Sequence, residues 1–280
     1  MRPSTTLGTS EALREATGLL AFVSDTPRLD AELLLAHTLG ISREALLLGG
    51  DRPVPPAFES LLRRRLAHEP VAYITGRRAF WTLDLNVTPD VLIPRPDSET
   101  LIEAAIAHFR GRAPPTILDL GTGSGALLLA ALDQWQDARG LGIDQSATAI
   151  AVARGNAEML DLGARATFVR GDWADAIDAR FDLILCNPPY VETDANLARQ
   201  VADYEPASAL YAGADGLDDY RRLIPQLPRL LAPLGLAAIE IGADQAAAVS
   251  ALVEAQGLAA GCRKDLGNHD RCIAVTRPQD

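Results

Sequence analysis

Residues 116–136 read TILDLGTGSGALLLAALDQWQ and join a short apolar run, a glycine-rich turn and a longer apolar segment. The run 116–120 is typical of a buried strand, and 124–136 predicts a helix. Glycines at 121, 123 and 125 let the backbone turn sharply and approach a ligand closely, because no Cβ is in the way. The stretch therefore predicts a strand–turn–helix unit whose helix start offers free amides to a polar ligand.

The same alternation of strand and helix patterns continues to the end of the chain. The predicted strands are 116–120, 140–143, 166–169, 181–186, 234–241 and 272–276. The predicted helices are 98–109, 124–136, 146–161, 217–231 and 244–256. Nearly continuous apolar strands separated by helices are typical of a mostly parallel sheet covered on both faces. The fold class is therefore α/β, a doubly wound Rossmann-like sheet that binds ligands outside the carboxyl ends of its strands.

The part before this sheet has a different pattern. Helical spacing and capping signals at 10–23, 27–40, 43–48 and 57–68 predict a small all-helical bundle over residues 1–76. Alternating apolar residues at 80–87, followed by a turn at 88–90, predict a β-hairpin linker over 77–96. The α/β domain then occupies residues 97–280.

The charge balance limits the choice of partners. The 280 residues carry 26 Lys and Arg against 37 Asp and Glu, a net charge of −11. This disfavours a protein whose affinity comes mainly from nucleic-acid phosphates. The one dense basic run, Arg63–Arg65, is either a solvated helix face or a docking patch for a partner.

Targeting and metal signals are weak. No apolar run approaches the roughly 20 residues of a membrane-spanning helix, and Glu11, Arg14 and Glu15 interrupt any signal-peptide core. Three cysteines and four scattered histidines have neither the pairing of a disulfide framework nor the spacing of a zinc site. We therefore expect a cytoplasmic protein with no metal and no membrane contact.

Three acidic positions indicate the ligand. The glycine spacing G-x-G-x-G differs from the pyrophosphate pattern, and Asp119 before it favours a cationic ligand such as S-adenosyl-L-methionine. Asp144 follows Gly121 by 23 residues and is expected to accept the ribose hydroxyls, although a helix cap, which Ser146 also offers, is the alternative. Asp172 and Trp173 after the next strand predict an adenine pocket, with an acid for the amine and an indole for the ring.

The most informative motif is Asn187-Pro188-Pro189-Tyr190, directly after the apolar strand 181–186. Two prolines stiffen the backbone and favour extended geometry at the residue before each. The Asn187 Oδ1 and the Pro188 carbonyl can each accept one N–H of a planar NH₂ group, which orients its lone pair toward a methyl donor. Tyr190 is predicted to pack on the planar substrate group, and no strong general base is required.

These motifs together resemble the HemK/PrmC release-factor glutamine methyltransferases. The resemblance is carried by the segments Pro70–Gly76, Ile93–Glu99, Asp119–Gly125, Asn187–Tyr190, Tyr204–Pro206, Asp215–Leu217 and Asp265…Gly267…Arg271. It covers the chain from about residue 10 to the end. One departure is Val201-Ala202-Asp203, which replaces a Val-Arg-Phe type run.

The resemblance implies a class I methyltransferase that methylates the side-chain amide nitrogen of the Gln in the Gly-Gly-Gln loop of class-one peptide chain release factors. S-adenosyl-L-methionine donates the methyl group, and S-adenosyl-L-homocysteine leaves. The implied cofactor residues are Gly121, Thr122, Gly123, Ser124, Gly125, Asp144, Asp172, Trp173 and Asn187. The implied catalytic residues are Asn187, Pro188 and Tyr190, and the substrate is held by Asn187, Pro188, Pro189 and Tyr190.

The resemblance also suggests that the helical bundle docks the release factor. Arg95 and Glu99 either shape the site or have a purely structural role. Three alternatives stay open: a ribosomal-protein glutamine methyltransferase, an adenine N6 DNA methyltransferase or related RNA enzyme, and a catalytically silent scaffold. The acidic α/β part disfavours the nucleic-acid enzyme, and the intact glycines, Asp144 and Asn187 disfavour the scaffold.

Overall fold

The structure is a computed structural model that describes residues 8–278. The chain divides into two compact units. The first contains the described residues up to Arg77 together with Leu197–Tyr204, and the second contains Arg78–Asn196 and the described residues from Glu205 on. The ends of the predicted domains, residues 1–7 and 279–280, lie outside the described residues.

The first unit is a helical bundle, as predicted. Its helices are α1 Thr9–Leu20, α2 Pro27–Leu39, α3 Arg43–Leu48, α4 Ala57–Leu66 and α5 Val71–Thr75. Gly40 ends α2 in the left-handed conformation with φ 63°, and the Ser42 Oγ caps α3 by accepting the Ala45 N–H at 3.1 Å. Helix α5 was not predicted, because it has only five residues between Pro70 and Gly76. Fully buried leucines of α1 and α2 form the core of this unit.

The basic run at Arg63–Arg65 is not a free patch. Arg63 pairs with Glu59 on the helix surface at 2.7 Å, and Arg64 pairs with Glu69 at 2.5 Å. Arg65 is buried and bonds to Asp30 at 2.7 Å. Because all three guanidinium groups have carboxylate partners, the interpretation of this run as a partner-docking patch is not supported.

The hairpin lies earlier in the chain than the sequence predicts. Strands β1 Arg77–Phe80 and β2 Leu83–Asn86 pair with each other, so the chain reverses at Trp81 and Thr82. Trp81 has φ 56°, the left-handed conformation that such a tight turn uses. The predicted continuous strand over 80–87 is therefore wrong. The turn predicted at 88–90 is present, since the Val91 N–H donates to the Thr88 carbonyl at 3.1 Å, but it does not join two paired strands. Periodicity alone missed the reversal because apolar side chains on both strands enter one core.

The second unit contains a seven-stranded sheet in the order β5-β4-β3-β6-β7-β9-β8. Its strands are β3 Thr116–Leu120, β4 Arg139–Asp144, β5 Ala166–Arg170, β6 Phe181–Cys186, β7 Leu231–Glu240, β8 Ala259–Lys264 and β9 Asp270–Thr276. The helices after the hairpin are α6 Glu99–Phe109, α7 Ala126–Gln134, α8 Ala147–Met159, α9 Arg199–Ala202, α10 Asp218–Leu223, α11 Leu227–Leu230 and α12 Ala246–Glu254. Strands β3 to β7 pair in parallel, and β9 and β8 add antiparallel strands at one edge. The predicted α/β doubly wound class is confirmed.

Two elements of this unit differ from the prediction for local reasons. Strand β8 was missed because its residues AAGCRK are mostly exposed at the sheet edge and show no apolar run. The predicted single helix 217–231 is divided into α10, a 3₁₀ turn at Ile224–Gln226 and α11. Pro225 and Pro228 each lack the N–H that a continuous helix needs.

The segment Leu197–Tyr204, which contains α9, groups with the helical bundle, whereas the sequence places it within the domain 97–280. Arg65 Nη2 donates to Gln200 Oε1 at 3.0 Å, and the Tyr204 hydroxyl donates to the Ala67 carbonyl at 2.8 Å. Residues 78–96 likewise belong to the second unit, since Phe80, Leu83 and Leu85 are in its core. Among the described residues, no helix is long and apolar enough to cross a membrane.

Candidate active site

A cavity of about 530 Å³ lies in the second unit at the carboxyl ends of β3, β4, β5 and β6. Strands added after β3 extend the sheet on one side through β4 and on the other through β6, so the strand order reverses here. Such a switch point is where α/β sheets bind ligands, and the volume suits a small molecule. Nine of the predicted site residues line this cavity: Gly121, Thr122, Gly123, Ser124, Asp144, Asp172, Trp173, Asn187 and Pro189.

The glycine-rich loop forms one wall. Gly121 has φ 72°, and a Cβ on it would lie 3.6 Å from the Trp173 ring and 3.9 Å from the Asn187 carbonyl oxygen. These are ordinary contact distances, so it is the positive φ of the turn that favours glycine at this position. Gly125, by contrast, does not line the cavity. It has φ 84° before α7, and a Cβ there would meet the Ala153 Cβ at 3.3 Å, so it allows α7 and α8 to pack closely.

Asp119 supports the loop from below. It is 1% exposed, and its Oδ2 accepts the Thr122 hydroxyl at 2.6 Å, while Oδ1 has no hydrogen-bond partner in residues 8–278. Burial raises the pKa of this carboxyl to about 7, although the Thr122 hydrogen bond favours the charged form. Asp119 is thus a buried acid that does not line the cavity itself but bonds to Thr122, which does.

Asp144 at the end of β4 faces the cavity and is tethered on both oxygens. Its Oδ2 accepts the Gly123 N–H at 2.9 Å, and its Oδ1 accepts the Ser146 N–H at 2.8 Å. The Ser146 Oγ caps α8 by accepting the Ala149 N–H at 3.2 Å. Because Ser146 provides the helix cap, Asp144 retains lone pairs for a ligand in the cavity.

The wall beyond β5 contains two acids and an indole. Trp173 lines the cavity beside Asp172, whose Oδ2 accepts Arg222 Nη2 at 2.6 Å in a half-exposed ion pair. Asp219 also lines the cavity, and burial raises its pKa, while Arg222 and the Trp173 indole counteract the shift. Asp219 and Arg222 were not predicted, although they lie just after the segment Asp215–Leu217 that contributes to the family resemblance.

Only two of the four residues of the Asn187–Tyr190 loop line the cavity. Asn187 is half-buried and lines the cavity, with its Nδ2 donating to the Ser98 Oγ at 3.2 Å. Pro189 also lines the cavity, whereas Pro188 is buried outside its lining. Tyr190 is outside the lining too, and its hydroxyl donates to Glu240 Oε1 at 3.2 Å. The predicted packing of Tyr190 on a substrate therefore finds no support in its position.

The segment from Ile93 to Glu99 is fixed by buried contacts. Glu205 is 6% exposed and accepts the Ile93 N–H at 3.2 Å as well as a short hydrogen bond from Arg95 Nη2. Glu99 Oε1 accepts the Trp81 N–H at 2.9 Å. Arg95 and Glu99 thus make structural contacts, and Ser98 between them is the member of this segment that reaches Asn187. Glu205 stands in the quoted Tyr204–Pro206 motif, which was the available signal for it.

Asn156 connects the hairpin to the glycine-rich loop. Its side chain is fully buried; it accepts the Asn86 N–H at 2.8 Å and donates to the carbonyls of Asn86 at 3.0 Å and Ser124 at 2.9 Å. This one amide satisfies three backbone groups that would otherwise be unpaired. Nothing in the sequence distinguished it from other residues of α8.

We expect Asn156→Ala to lower the free energy of unfolding of the second unit by about 2–4 kcal/mol, because three buried backbone groups lose their partner. Urea titration followed by tryptophan fluorescence measures this directly, since Trp81, Trp135 and Trp173 all belong to the second unit. Gln136→Ala is the matched control: it removes an exposed amide that makes one hydrogen bond. An Asn156→Ala midpoint equal to that of the control would contradict the role.

Across residues 8–278, no group of three or more His, Cys, Asp or Glu side chains is arranged to hold a metal ion. Cys186 and Cys272 are buried free thiols, and Cys262 is an exposed one.

Comparison with known proteins adds independent findings. Residues 11–76 match the family model of the PrmC N-terminal domain, and residues 98–204 match that of the methyltransferase small domain. A release factor glutamine methyltransferase of Rhodospirillum rubrum is 48% identical over 90% of this chain and 80% of its own length. One from Caulobacter vibrioides is 42% identical over 89% of each chain.

A solved structure supports the fold. The hMettl16 catalytic domain, solved with a MAT2A 3′UTR hairpin, has a TM-score of 0.56 at 17% identity and covers 84% of this chain and 86% of its own. At that identity the likeness concerns the fold alone. The two relatives named above are more than 40% identical to this chain over most of their length. This shows that the chain belongs to the release factor glutamine methyltransferase family.

Proposed function

We propose that this chain transfers a methyl group from S-adenosyl-L-methionine to the side-chain amide nitrogen of the Gln in the Gly-Gly-Gln motif of class-one peptide chain release factors. Its family membership supports the reaction type and the release-factor substrate. The observation that carries the proposal is the Asn187 carboxamide. It lines the cavity while its Nδ2 is bonded to Ser98, so Oδ1 is left to accept an N–H from a planar amide.

The residues that line the cavity suit the chemistry of the methyl donor. The Gly121–Ser124 loop leaves space that a Cβ would fill, which suits the amino-acid part of S-adenosyl-L-methionine. Asp144 would accept the ribose hydroxyls, and Asp172 with Trp173 would border the adenine. When bound, this cofactor supplies a methyl carbon that is activated by a sulfonium.

The chain's own residues would contribute to the reaction by orienting the substrate amide. An amide nitrogen is a poor nucleophile, because its lone pair is delocalised into the carbonyl. Asn187 Oδ1 and the Pro188 carbonyl would each accept one N–H, which turns the lone pair toward the methyl donor and stabilises the charge that develops on nitrogen. The role of the Pro188 carbonyl rests on the family resemblance, since the residue is buried and does not line the cavity.

Proton removal needs no strong base. A methylated amide cation is a strong acid, so water or a nearby acceptor takes the proton after transfer. Proximity and alignment in the cavity then supply most of the rate. We place the reaction in the cytoplasm, with neither a nucleic acid nor a membrane as a direct partner and without a metal.

The helical unit would contact the release factor. Its surface exposes Phe22 and Leu48, each 89% accessible, together with Leu19 and Leu47. We include these exposed apolar side chains in the proposed contact site, because burying them against a partner would be favourable. The match of residues 11–76 to the PrmC N-terminal domain supports the same role.

The test is transfer of label from S-adenosyl-L-methionine in parallel reactions with a release factor, a ribosomal protein substrate and DNA or RNA. We expect label on the release factor, and mass spectrometry should place it on the Gln of the Gly-Gly-Gln motif. A release factor with that Gln changed to Ala is the matched control and should stay unlabelled. Label on the ribosomal protein alone, or on nucleic acid alone, would overturn the proposal.

A further inference from the structure

The loop that carries Asn187 is held at its far end by the side chain of Gln245. The Gln245 Nε2 donates to the Tyr190 carbonyl at 3.0 Å and to the Gly216 carbonyl at 3.3 Å. The Gln245 Oε1 accepts the Gly242 N–H at 2.9 Å. A carboxamide has two N–H donors and one acceptor oxygen, so this side chain uses both donors and its oxygen to join three separate segments of the chain.

The direction of this amide is determined from both sides. The Gly242 N–H needs an acceptor, which places Oε1 beside it, and the Tyr190 and Gly216 carbonyls need a donor, which places Nε2 beside them. A reversed amide would put an oxygen against two carbonyl oxygens. The contact between Gln245 and the Tyr190 carbonyl is therefore chemically specific.

Gln245 occupies the N-cap position of α12 without capping that helix. Within the described residues, its side chain makes no capping hydrogen bond to α12. Serine, threonine, aspartate and asparagine are the usual residues at this position, because a short polar side chain reaches the free N–H groups of the first turn. The longer side chain of Gln245 extends instead to the end of the Asn187–Tyr190 loop.

Gly216 packs directly against the same carbonyl. It has φ 67°, which favours glycine, and a Cβ built on it would lie 2.3 Å from the Tyr190 carbonyl oxygen and 2.7 Å from the Gln245 Nε2. A side chain at this position would therefore displace the end of the loop. Gly216 belongs to the segment Asp215–Leu217, which contributes to the family resemblance and has no role in the reaction described above.

Two prolines connect the position of Tyr190 to that of Asn187. Pro188 and Pro189 each fix their own φ, and each restricts the residue before it to extended geometry. The other end of the loop leaves β6 at Cys186. A short stiff segment that is held at both ends has little freedom between them, so the place where Tyr190 is held determines where the Asn187 carboxamide lies.

We propose that Gln245 is a positioning residue for methyl transfer, which acts through the Tyr190 carbonyl to keep the Asn187 carboxamide in place at the cavity. The inference rests on the proposed function, in which Asn187 Oδ1 accepts an N–H of the substrate amide. Neither Gln245 nor Gly216 lines the cavity, so neither contacts the substrate or the cofactor in this scheme.

A second attachment of the loop limits the size of the expected effect. The Val191 N–H donates to the Leu210 carbonyl at 2.9 Å, and the Val191 carbonyl accepts the Ala212 N–H at 2.8 Å. These backbone bonds remain when Gln245 is replaced, so the loop should shift and loosen but stay folded. The loss of activity should therefore be smaller than the loss caused by removing the Asn187 carboxamide itself.

The first experiment compares Gln245→Met with the wild-type chain at saturating cofactor and release factor. Methionine keeps the length of the side chain but has no N–H to donate. We expect kcat to fall about tenfold, because a small misplacement of an orienting group is costly. Kd for S-adenosyl-L-methionine should change by less than about twofold. Gln256→Ala truncates an exposed glutamine just after α12 and is the matched control, which should keep the wild-type kcat.

Gly216→Ala tests the same contact from its other side. Gly257→Ala is the matched control, because Gly257 has φ 72° and a Cβ built there meets no described atom within 4 Å. Both variants place an alanine in the left-handed region, so both should have lower melting temperatures than the wild type. Only Gly216→Ala should also lower kcat, by about tenfold or more, because only there does the new methyl group displace Tyr190.

A double variant shows whether Gln245 acts through Asn187. In an Asn187→Ala background no carboxamide is left to position, so adding Gln245→Met should lower kcat by less than about threefold. A residue that only stabilised the fold would lower kcat by the same factor in both backgrounds. Hydrogen–deuterium exchange adds a readout that needs no activity: in Gln245→Met the Tyr190 and Val191 amides should exchange faster than in the wild type, and those of β3 should not.

Contrary outcomes are separable. Wild-type kcat in Gln245→Met, or effects of the Gln245 and Asn187 changes that multiply, would overturn the positioning role while leaving the proposed function intact. If Gln245→Met does not fold, the comparison of Gly216→Ala with Gly257→Ala decides, and equal kcat values in those two variants would overturn the role. A wild-type chain that methylates no release factor would overturn the proposed function and this inference with it.

Discussion

Replacing Asn187 with alanine should lower kcat for release-factor methylation by about 10²–10³-fold, the loss seen when an oriented transition-state hydrogen bond is removed. Asn187 lines the cavity, and its only polar partner in the described protein, Ser98, engages Nδ2 rather than Oδ1. The variant leaves the Gly121–Ser124 loop and Asp144 untouched. Kd for S-adenosyl-L-methionine should therefore stay nearly constant, which calorimetric titration of the cofactor measures alongside steady-state kinetics.

Asn187→Gln tests whether the position of the carboxamide matters, and not only its presence. It keeps the carboxamide but moves it by one methylene from the Ser98 hydroxyl, so we expect a loss close to that of Asn187→Ala. A collapse of cofactor affinity with unchanged kcat at saturation would show that Asn187 serves the cofactor and not the substrate amide.

Replacing Asp144 with alanine should have the opposite signature. The proposal gives Asp144 two charge-assisted hydrogen bonds to the ribose, and their loss should weaken S-adenosyl-L-methionine binding about 100-fold, equivalent to about 2.7 kcal/mol. Part of this loss comes from the glycine-rich loop, because Asp144 Oδ2 also holds the Gly123 N–H at 2.9 Å. Calorimetric titration gives Kd, and kcat at saturating cofactor should stay within a few-fold of the wild type.

Ser146→Ala separates the ligand role of Asp144 from helix capping. It removes the cap that accepts the Ala149 N–H but keeps the Asp144 carboxylate and its bond to the Ser146 backbone. We expect a loss of stability of about 1 kcal/mol and little change in Kd. If Ser146→Ala weakens the cofactor as much as Asp144→Ala does, the ribose assignment is wrong.

Local sequence signals were sufficient where a residue's neighbours in the chain decide its conformation. Strands 116–120 and 181–186 were predicted with the bounds that the structure gives, because both are short, largely apolar runs that end at a glycine-rich or proline-rich loop. The cap at Ser42 and the end of α2 at Gly40 are equally local. Strand β8 was missed because an exposed edge strand depends on pairing with β9, which its own composition does not reveal.

In the site, too, local signals predicted some features and tertiary packing decided others. The predicted residues that line the cavity stand in motifs at or directly after strand ends, so the sequence alone brought Gly121–Ser124, Asp144, Trp173 and Asn187 to one sheet edge. Gly125, Pro188 and Tyr190 belong to the same motifs, yet the structure places them outside the lining. A motif therefore predicts the loop, whereas the direction of each side chain depends on what packs behind it.

The sequence by itself determined the α/β class, the helical bundle before it, the loop that bears Asn187 and the resemblance to a methyltransferase family. Each depends on periodicity or on spacing within about 25 residues, where chain connectivity limits the geometry. Only the tertiary structure decided that Ser98 is bonded to Asn187, that Asn156 joins the hairpin to the glycine-rich loop, and that Glu240 lies behind Tyr190. These contacts join residues 32 to 89 positions apart, and no local propensity encodes which distant side chains burial will bring together.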